Sequence, residues 1–259
     1  MMDAVIDGLE ALRSEAPRSL MPRVLASTGL ADGYLRVLGP LGDLFVAFST
    51  NGVSWIAPAG DEAEFEAAFR RHVGRDIVPV PTFPPKWQRA LDRAFQTGRL
   101  GSLPVDLRSV SPFQAEVLRA ITVIPPGEVR PYAWVARQVG RPGAVRAVGT
   151  AMARNPVPVV VPCHRVIRSD GTVGNYAYGP DMKRALLTAE GLDVAEMEAE
   201  AVAGRRLTGS DTTHIYCYPS CHHARRVTDK HRVWFQDAAQ AAVAGYRPCK
   251  KCQPLEAAA

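Results

Sequence analysis

The sequence predicts an α/β chain in three parts. An α/β N-terminal domain with a β-hairpin sheet and helices comes first, then a mainly helical domain with a helix-turn-helix, then a small C-terminal α+β module organised by paired cysteines. Three observations carry this. Apolar residues over 34–57 run in a β pattern interrupted by Asn51-Gly52, a strong hairpin signal. Two helical stretches within residues 132–153 meet at a short Gly140-Arg141 joint. Four of the five cysteines crowd into residues 217–252. At 259 residues the chain is long enough to bury one sizeable core and add a small module.

Residues 1–30 read as one or two short helices, with Ala4, Val5, Leu9 and Leu12 at helical spacing. The N-terminal domain, 31–107, continues past its hairpin with helices over 62–72 and 85–97, the second opened by prolines, and a short strand over 105–107. The second domain, 108–192, opens on Ser111-Pro112-Phe113-Gln114, a capping box with proline at the first helical position. That helix runs to about residue 124 and breaks at Pro125-Pro126-Gly127. Helices follow over 132–139, 142–153 and 180–190. The middle one is slim, carrying Ala144, Ala147, Gly149, Ala151 and Ala153, so it suits close approach to another backbone, inside the protein or in a DNA groove. Residues 193–204, acidic and alanine-rich over 193–200, read as a linker or an extra turn before the module at 205–254.

Charge is distributed unevenly. Residues 108–165 hold 8 basic and 2 acidic side chains, and residues 205–259 hold 9 and 4; the stretch between them has 3 and 7. Two basic regions separated by an acidic one favour two nucleic-acid-facing surfaces. No apolar run approaches the roughly 18 residues of a membrane helix, and the first 17 residues carry acids where a signal peptide has its basic region. The expected location is the cytoplasm, in association with the nucleoid, with no membrane partner.

The remaining cysteine, Cys163, ends the stiff apolar run Asn155-Pro-Val-Pro-Val-Val-Val-Pro162 and is followed by His164-Arg165-Val166. A lone cysteine beside a histidine is a candidate nucleophile. Its free pKa of about 8.5 leaves a buried thiol inert unless a base or positive charge assists; His164 and Arg165 are the neighbours able to do so.

This stretch, with Ser169-Asp-Gly-Thr-Val-Gly-Asn-Tyr176, Glu190-Gly191, Gly127-Glu-Val-Arg-Pro-Tyr132 and Arg146-Ala-Val-Gly149, resembles the O6-alkylguanine-DNA alkyltransferase (methylated-DNA–protein-cysteine methyltransferase) family over roughly residues 33–192. The resemblance implies a transferase consumed in one turnover, with no cofactor for the transfer. Cys163 would accept the alkyl group. His164 would deprotonate it through a water, and Glu190 would orient that histidine. Asn155 would tie the helix-turn-helix to the active-site segment, and Tyr132 would protonate the departing guanine. Arg146 would fill the space left by the extruded base, with Ala144, Ala147, Tyr176 and Tyr178 also facing DNA. The partner would be double-stranded DNA carrying O6-alkylguanine, bound as a monomer with little sequence preference. One departure stands out: most relatives have a small residue where this chain places Tyr178, which is expected to narrow the base pocket and disfavour bulky adducts. Two rival readings are a lesion sensor that transfers nothing and a zinc-dependent DNA-binding regulator.

Cys217-x3-Cys221 and Cys249-x2-Cys252 have the spacing of a tetrahedral zinc site. His214, His222, His223 and His231 compete, but the paired cysteines suffice by themselves. The residues 212–221 and 244–254 are similar to the Ada-type metal-binding domain, in which the first cysteine accepts a methyl group from a DNA phosphotriester. The matching position is Cys217, the candidate second acceptor; the alternative is a purely structural zinc. His214 and Tyr218 depart from that pattern, which has glycine and arginine there.

Overall fold

The computed structural model describes residues 20–40 and 42–255. The spacing read over Ala4 to Leu12 lies outside them, and α1 (Leu20–Thr28) is the described part of the N-terminal extension. The hairpin at Asn51-Gly52 joins β2 (Gly42–Ser49) to β3 (Gly52–Pro58). With β1 (Asp32–Gly39) and β4 (Ile77–Pro79) they form one sheet of order β3-β2-β1-β4, antiparallel except for the β1–β4 pair.

Strand alternation gives this sheet two different faces. Tyr34, Phe45 and Ala47 pack on Phe65, Phe69 and Val73 of α2 (Glu62–Val73). Leu44, Val46, Phe48, Val53 and Ile56 face the other way and join the main core. There they meet α3 (Pro85–Thr97) and α4 (Pro112–Ile121), whose N-cap Ser111 accepts from Gln114 N. The strand expected over 105–107 is a single parallel bridge, Val53 to Val105. The Asp106 backbone N–H closes this bridge on Val53 O (2.8 Å), and its buried carboxylate accepts from Ser49 (2.6 Å), Arg108 (2.6 Å) and Arg75 (3.2 Å).

Burial pushes the Asp106 carboxyl upward, but hydrogen bonds from Arg108 and Ser49 outweigh this and hold it well below the usual carboxylate range. Its contribution is therefore complete above about pH 4 and lost as pH falls through the depressed value. Asp106→Asn is expected to cost about 2 kcal/mol in urea unfolding at pH 7. The gap between variant and parent should narrow below about pH 4; a constant gap would show that the carboxylate's charge is not the source.

The helix-turn-helix consists of α5 (Tyr132–Gln138) and α6 (Val145–Ala153), turned at Gly140 with φ +67°. The short β5 (Arg130–Pro131) pairs in parallel with β6 (Val166–Ile167), which follows the 3-10 turn Cys163–Arg165. Residues 193–204, expected as a linker or an extra turn, hold a helix, α8 (Val194–Val202). Asp193 caps it by accepting from Glu196 N, and Val194 and Met197, three positions apart, pack on Val129, Ile167 and Leu187. Leu187 belongs to α7 (Pro180–Ala189), and Arg184 of the same helix is paired with Glu198 of α8 at 2.8 Å.

The cysteine module is a second four-stranded sheet of order β10-β8-β7-β9. It comprises β7 (Leu207–Ser210), β8 (Ile215–Cys217), β9 (Arg232–Phe235) and β10 (Arg247–Pro248), with α9 (Ala238–Val243) alongside. Its buried Leu207, Tyr216, Phe235 and four cysteines are continuous with the main core. No described helix is long and apolar enough to cross a membrane.

Candidate active site and metal centre

Pro162 delivers Cys163 to the start of the 3-10 turn, where the thiol is buried. Asn155 governs this approach. Its Nδ2 donates to Val161 O (2.9 Å) and to Cys163 Sγ (3.1 Å), while its Oδ1 accepts from Val157 N (3.0 Å). One amide at the end of α6 thus fixes the whole 155–163 segment. Within it, Val159 has φ +72°, a left-handed conformation that is costly for a β-branched residue.

His164 is fully enclosed, and its Nε2 lies 2.8 Å from Glu190 Oε1. Its Nδ1 is buried and has no hydrogen-bond partner among the described residues. Burial lowers the His164 pKa against the opposing pull of Glu190, which keeps the ring neutral. A neutral ring donating from Nε2 to a carboxylate carries its lone pair on Nδ1.

Glu190 is held by more than His164. Arg165 Nε donates to Oε2 (2.9 Å) and its Nη2 to Oε1 (2.6 Å), while Nη1 reaches Ile124 O (2.7 Å) and Nη2 also meets Gly98 O. Burial would raise the Glu190 pKa, but hydrogen bonds from His164 and Arg165, with the Arg165 charge, bring it down to about 2. Arg165, one of the two expected helpers of the thiolate, is instead committed to Glu190 and to the carbonyls of Ile124 and Gly98.

Lys183, on α7, was not singled out from the sequence. It is completely buried; its Nζ donates to Val166 O (2.5 Å) and lies 5.9 Å from the Tyr132 ring centroid. Burial lowers its pKa to about 8, against the pull of Cys163. A signal did exist: Lys183 shares a helical face with the buried Leu186 and Leu187, at i+3 and i+4. Burial raises the Cys163 thiol, while the Asn155 hydrogen bond and the Lys183 charge oppose that rise.

Three phenols surround the thiol. Burial and the proximity of Cys163 raise the pKa of Tyr132, so that it remains a proton donor. The Tyr176 hydroxyl is buried beside Cys163 and helps to pull its thiol down against the effect of burial. The ring of Tyr178 packs edge-on to that of Tyr176 at 5.9 Å, and its hydroxyl donates to Ile56 O of β3 at 3.3 Å. Tyr176, Tyr178, Pro158 and Val159 line a cavity of about 40 Å³. Burial raises the Tyr178 phenol to about 12, so it is a neutral donor.

On α6, Arg146 and Ala147 are exposed, and Ala144 at its N-cap is half-buried, while Val148, Ala151 and Met152 face the core. A Cβ built at Gly149 would meet nothing within 4 Å. The slimness of this surface is therefore not required by packing inside the protein.

The Sγ atoms of Cys217, Cys221, Cys249 and Cys252 all lie within 4.8 Å of one another. Four buried thiols so converged fit one tetrahedral zinc ion. The competing histidines are engaged elsewhere: His214 stacks on Tyr246 (5.0 Å), His222 and His223 on each other (5.7 Å), and His231 pairs with Asp211 (2.9 Å). His214 takes φ +50°, which accounts for glycine as the easier residue at that position.

Comparison with known proteins agrees with this geometry. Residues 112–192 match the model of the 6-O-methylguanine DNA methyltransferase DNA binding domain, and residues 194–255 match the metal binding domain of Ada. A methylated-DNA–protein-cysteine methyltransferase of Mycolicibacterium paratuberculosis is 50% identical over 88 residues, covering 34% of this chain and 53% of that protein. One from Mycobacterium bovis is 44% identical over 111 residues, covering 41% and 67%. The bifunctional transcriptional activator/DNA repair enzyme Ada of Escherichia coli is 36% identical over 133 residues, covering 51% and 33%. The chain thus spans about half the length of the first curated relatives it matches. The crystal structure of Mycobacterium tuberculosis OGT in complex with DNA is 33% identical, covers 61% of this chain and 93% of that one, and superposes with a TM-score of 0.50. The chain belongs to the methylated-DNA–protein-cysteine methyltransferase family and carries an Ada-type metal-binding domain at its C-terminal side.

Proposed function

We propose that this protein repairs alkylated DNA by taking an alkyl group, chiefly methyl, from O6 of guanine onto Cys163 in a single turnover. The observation that carries this reading is the chain Glu190–His164 beside a thiol oriented by Asn155. His164 Nδ1 takes the thiol proton through a bridging water, and Glu190 balances the resulting imidazolium. The thiolate attacks the alkyl carbon; the S–C bond forms as the C–O6 bond breaks, and the guanine leaves with its electron pair. Tyr132 protonates the departing base. The thioether is stable, so the protein is consumed.

Base access requires extrusion, since a stacked O6 cannot meet a buried thiolate in line. Arg146 and the slim outer face of α6, with Ala144 and Ala147, are assigned to DNA, with Tyr176 and Tyr178 covering the extruded base. The proposed partner is double-stranded DNA, bound with little sequence preference by a monomer in the cytoplasm. The extents 31–107, 108–192 and 205–254 are retained as the working domains, with α8 as a packed connector.

A specific observation favours a second acceptor. Cys217 and Cys249 line a groove rimmed by Arg226, Arg247, Lys250 and Lys251, whereas Cys221 and Cys252 are fully enclosed. A basic groove opening on a zinc thiolate suits a phosphate backbone carrying a methylphosphotriester. The zinc, when bound, holds the four sulfurs as thiolates, and methylation of Cys217 lowers the negative charge facing DNA.

The test is peptide mass mapping after mixing the protein with DNA treated with a methylating agent. Methyl groups on the Cys163 and Cys217 peptides support both readings, and a methyl on Cys163 alone makes the zinc purely structural. DNA binding with neither peptide labelled leaves a lesion sensor and overturns the proposal.

Tyr178 supplies a prediction about substrate range. Its ring packs edge-on against Tyr176, whose hydroxyl lies beside Cys163, and its own hydroxyl is tied across to Ile56 O, which narrows the approach to the thiol. The intact protein should react with O6-benzylguanine in DNA at least about tenfold more slowly than with O6-methylguanine. Tyr178→Gly should narrow the difference. Equal rates for both substrates, unchanged in the variant, would reject a gating role.

A further inference from the structure

We infer that the zinc module is a bracket for the alkyltransferase site: its two cysteine knuckles clamp residues 128–138, so that metal occupancy governs transfer to Cys163. The basis is a set of hydrogen bonds that join the two parts directly. From the second knuckle, Cys252 O accepts from Trp134 Nε1 (3.1 Å), while Gln253 O and Pro254 O both accept from Arg137 Nη2 (2.7 and 3.0 Å). Gln253 makes this possible by adopting φ +47°, a left-handed turn held by its own N–H to Cys249 O. From the first knuckle, Ser220 Oγ accepts from Val129 N (3.0 Å), and His222 N donates to Glu128 Oε1 (3.0 Å).

Between the knuckles lies a buried cation. The Arg130 guanidinium is paired with Glu128 and sits 5.4 Å from the Tyr218 ring centroid and 5.9 Å from that of Trp134. A charge stacked between an aromatic of the module and one of α5 makes the joint costly to open, because opening removes its aromatic cover on one side.

The clamped segment leads straight to the chemistry. Tyr132 is the first residue of α5, between Arg130 and Trp134. Arg130 and Pro131 are paired with Val166 and Ile167, which directly follow the Cys163–Arg165 turn. The knuckle carbonyls are presented only while the four thiols converge, and a small module of this kind owes its fold to the metal. Without zinc, α5 loses the partners of Trp134 and Arg137, and Tyr132 loses its fixed place. Trp134 and Arg137 are thus positioning residues, acting through Tyr132 and the helix-turn-helix.

The part of this inference that concerns rate rests on the reading of Cys163 as acceptor; the part that concerns order in residues 128–138 does not. The experiment uses the full chain, with zinc bound, stripped by a chelator and restored, metal content being measured each time. Hydrogen exchange of residues 128–138 and 44–56 is followed beside the rate of methylation of the Cys163 peptide by O6-methylguanine DNA. Zinc removal should speed exchange over 128–138 and slow Cys163 methylation about tenfold or more, with 44–56 still protected and both effects reversed by zinc. Stripped protein that keeps 128–138 protected and its Cys163 rate within twofold overturns the inference.

If 44–56 also loses protection, the zinc-loaded double variant Trp134→Phe, Arg137→Met decides. It removes three hydrogen bonds across the joint and should slow the Cys163 rate about five- to tenfold. Restoring a donor with Arg137→Lys should recover part of that loss. An unchanged rate in the double variant overturns the inference. Zinc-loaded parent protein that never labels Cys163 rejects the alkyltransferase reading instead, while the exchange result still judges the clamp.

Discussion

Glu190→Gln is expected to slow methyl transfer to Cys163 about 10³- to 10⁴-fold, the scale seen when the carboxylate that orients a catalytic histidine becomes an amide. The reason lies in how the site divides the two carboxylate oxygens. Arg165 occupies both, through Nε and Nη2, and His164 Nε2 shares Oε1. A glutamine places its oxygen on the Oε2 side, where Arg165 Nε and Gly127 N (3.1 Å) both donate and neither can become an acceptor, whereas His164 on the Oε1 side can change tautomer. Its amide then faces His164 Nε2 and turns that nitrogen into an acceptor. The ring proton moves to Nδ1, and the lone pair that takes the thiol proton is gone.

The same substitution leaves the buried Arg165 without its counter-charge. A loss of about 3 kcal/mol in stability accompanies it, at the lower end for a broken buried pair because the Ile124 and Gly98 carbonyls remain. With a pKa near 2 in the folded protein, Glu190 contributes stability that is complete above about pH 4.5 and lost as pH falls toward 2. The variant should therefore lose that part of the parent's acid sensitivity. Single-turnover rates and urea unfolding across pH measure both effects. A rate within tenfold of the parent would remove Glu190 from the proton path.

Lys183→Met is expected to separate activity from stability. Lys183 is a buried cation whose charge opposes the upward push of burial on the Cys163 thiol. Methionine keeps the length and removes the charge. Withdrawing a nearby positive charge raises a thiol pKa by about one to two units, which leaves about ten- to a hundredfold less thiolate at neutral pH. Stability should move little. The buried charge disappears, which is favourable, while Val166 O loses a donor, which is not. The transfer rate of the variant should fall about ten- to a hundredfold at pH 7 and recover as pH rises. A loss that is independent of pH, or that tracks a large drop in melting temperature, would make Lys183 a structural residue only.

Much of the fold was legible along the chain because its signals are local. Asn51-Gly52 marks a hairpin, Ser111 caps α4, and Gly140 turns the helix-turn-helix, each through backbone chemistry within a few residues. Residues 193–204 show the limit of local signals. An acidic, alanine-rich stretch resembles a linker in composition, and only its packing through Val194 and Met197 makes α8 part of the core. The expected strand over 105–107 is reduced to the Val53–Val105 bridge, beside which Asp106 joins an ion network with Arg75 and Arg108 that no strand propensity expresses.

The candidate site divides in the same way. Sequence by itself determined what stands beside the proposed nucleophile and which cysteines could share a metal, because adjacency fixes Cys163 beside His164 and short spacing fixes each cysteine pair. Whether side chains from distant segments meet depends on the path of the backbone through space. Only the tertiary structure decided that Arg165 turns away from the thiol to hold Glu190, that Lys183 lends its charge, and that Tyr178 reaches across to Ile56. Only the tertiary structure, too, brought the zinc knuckles onto Trp134 and Arg137, since hydrogen bonds spanning more than 110 positions leave no periodicity in the sequence to read.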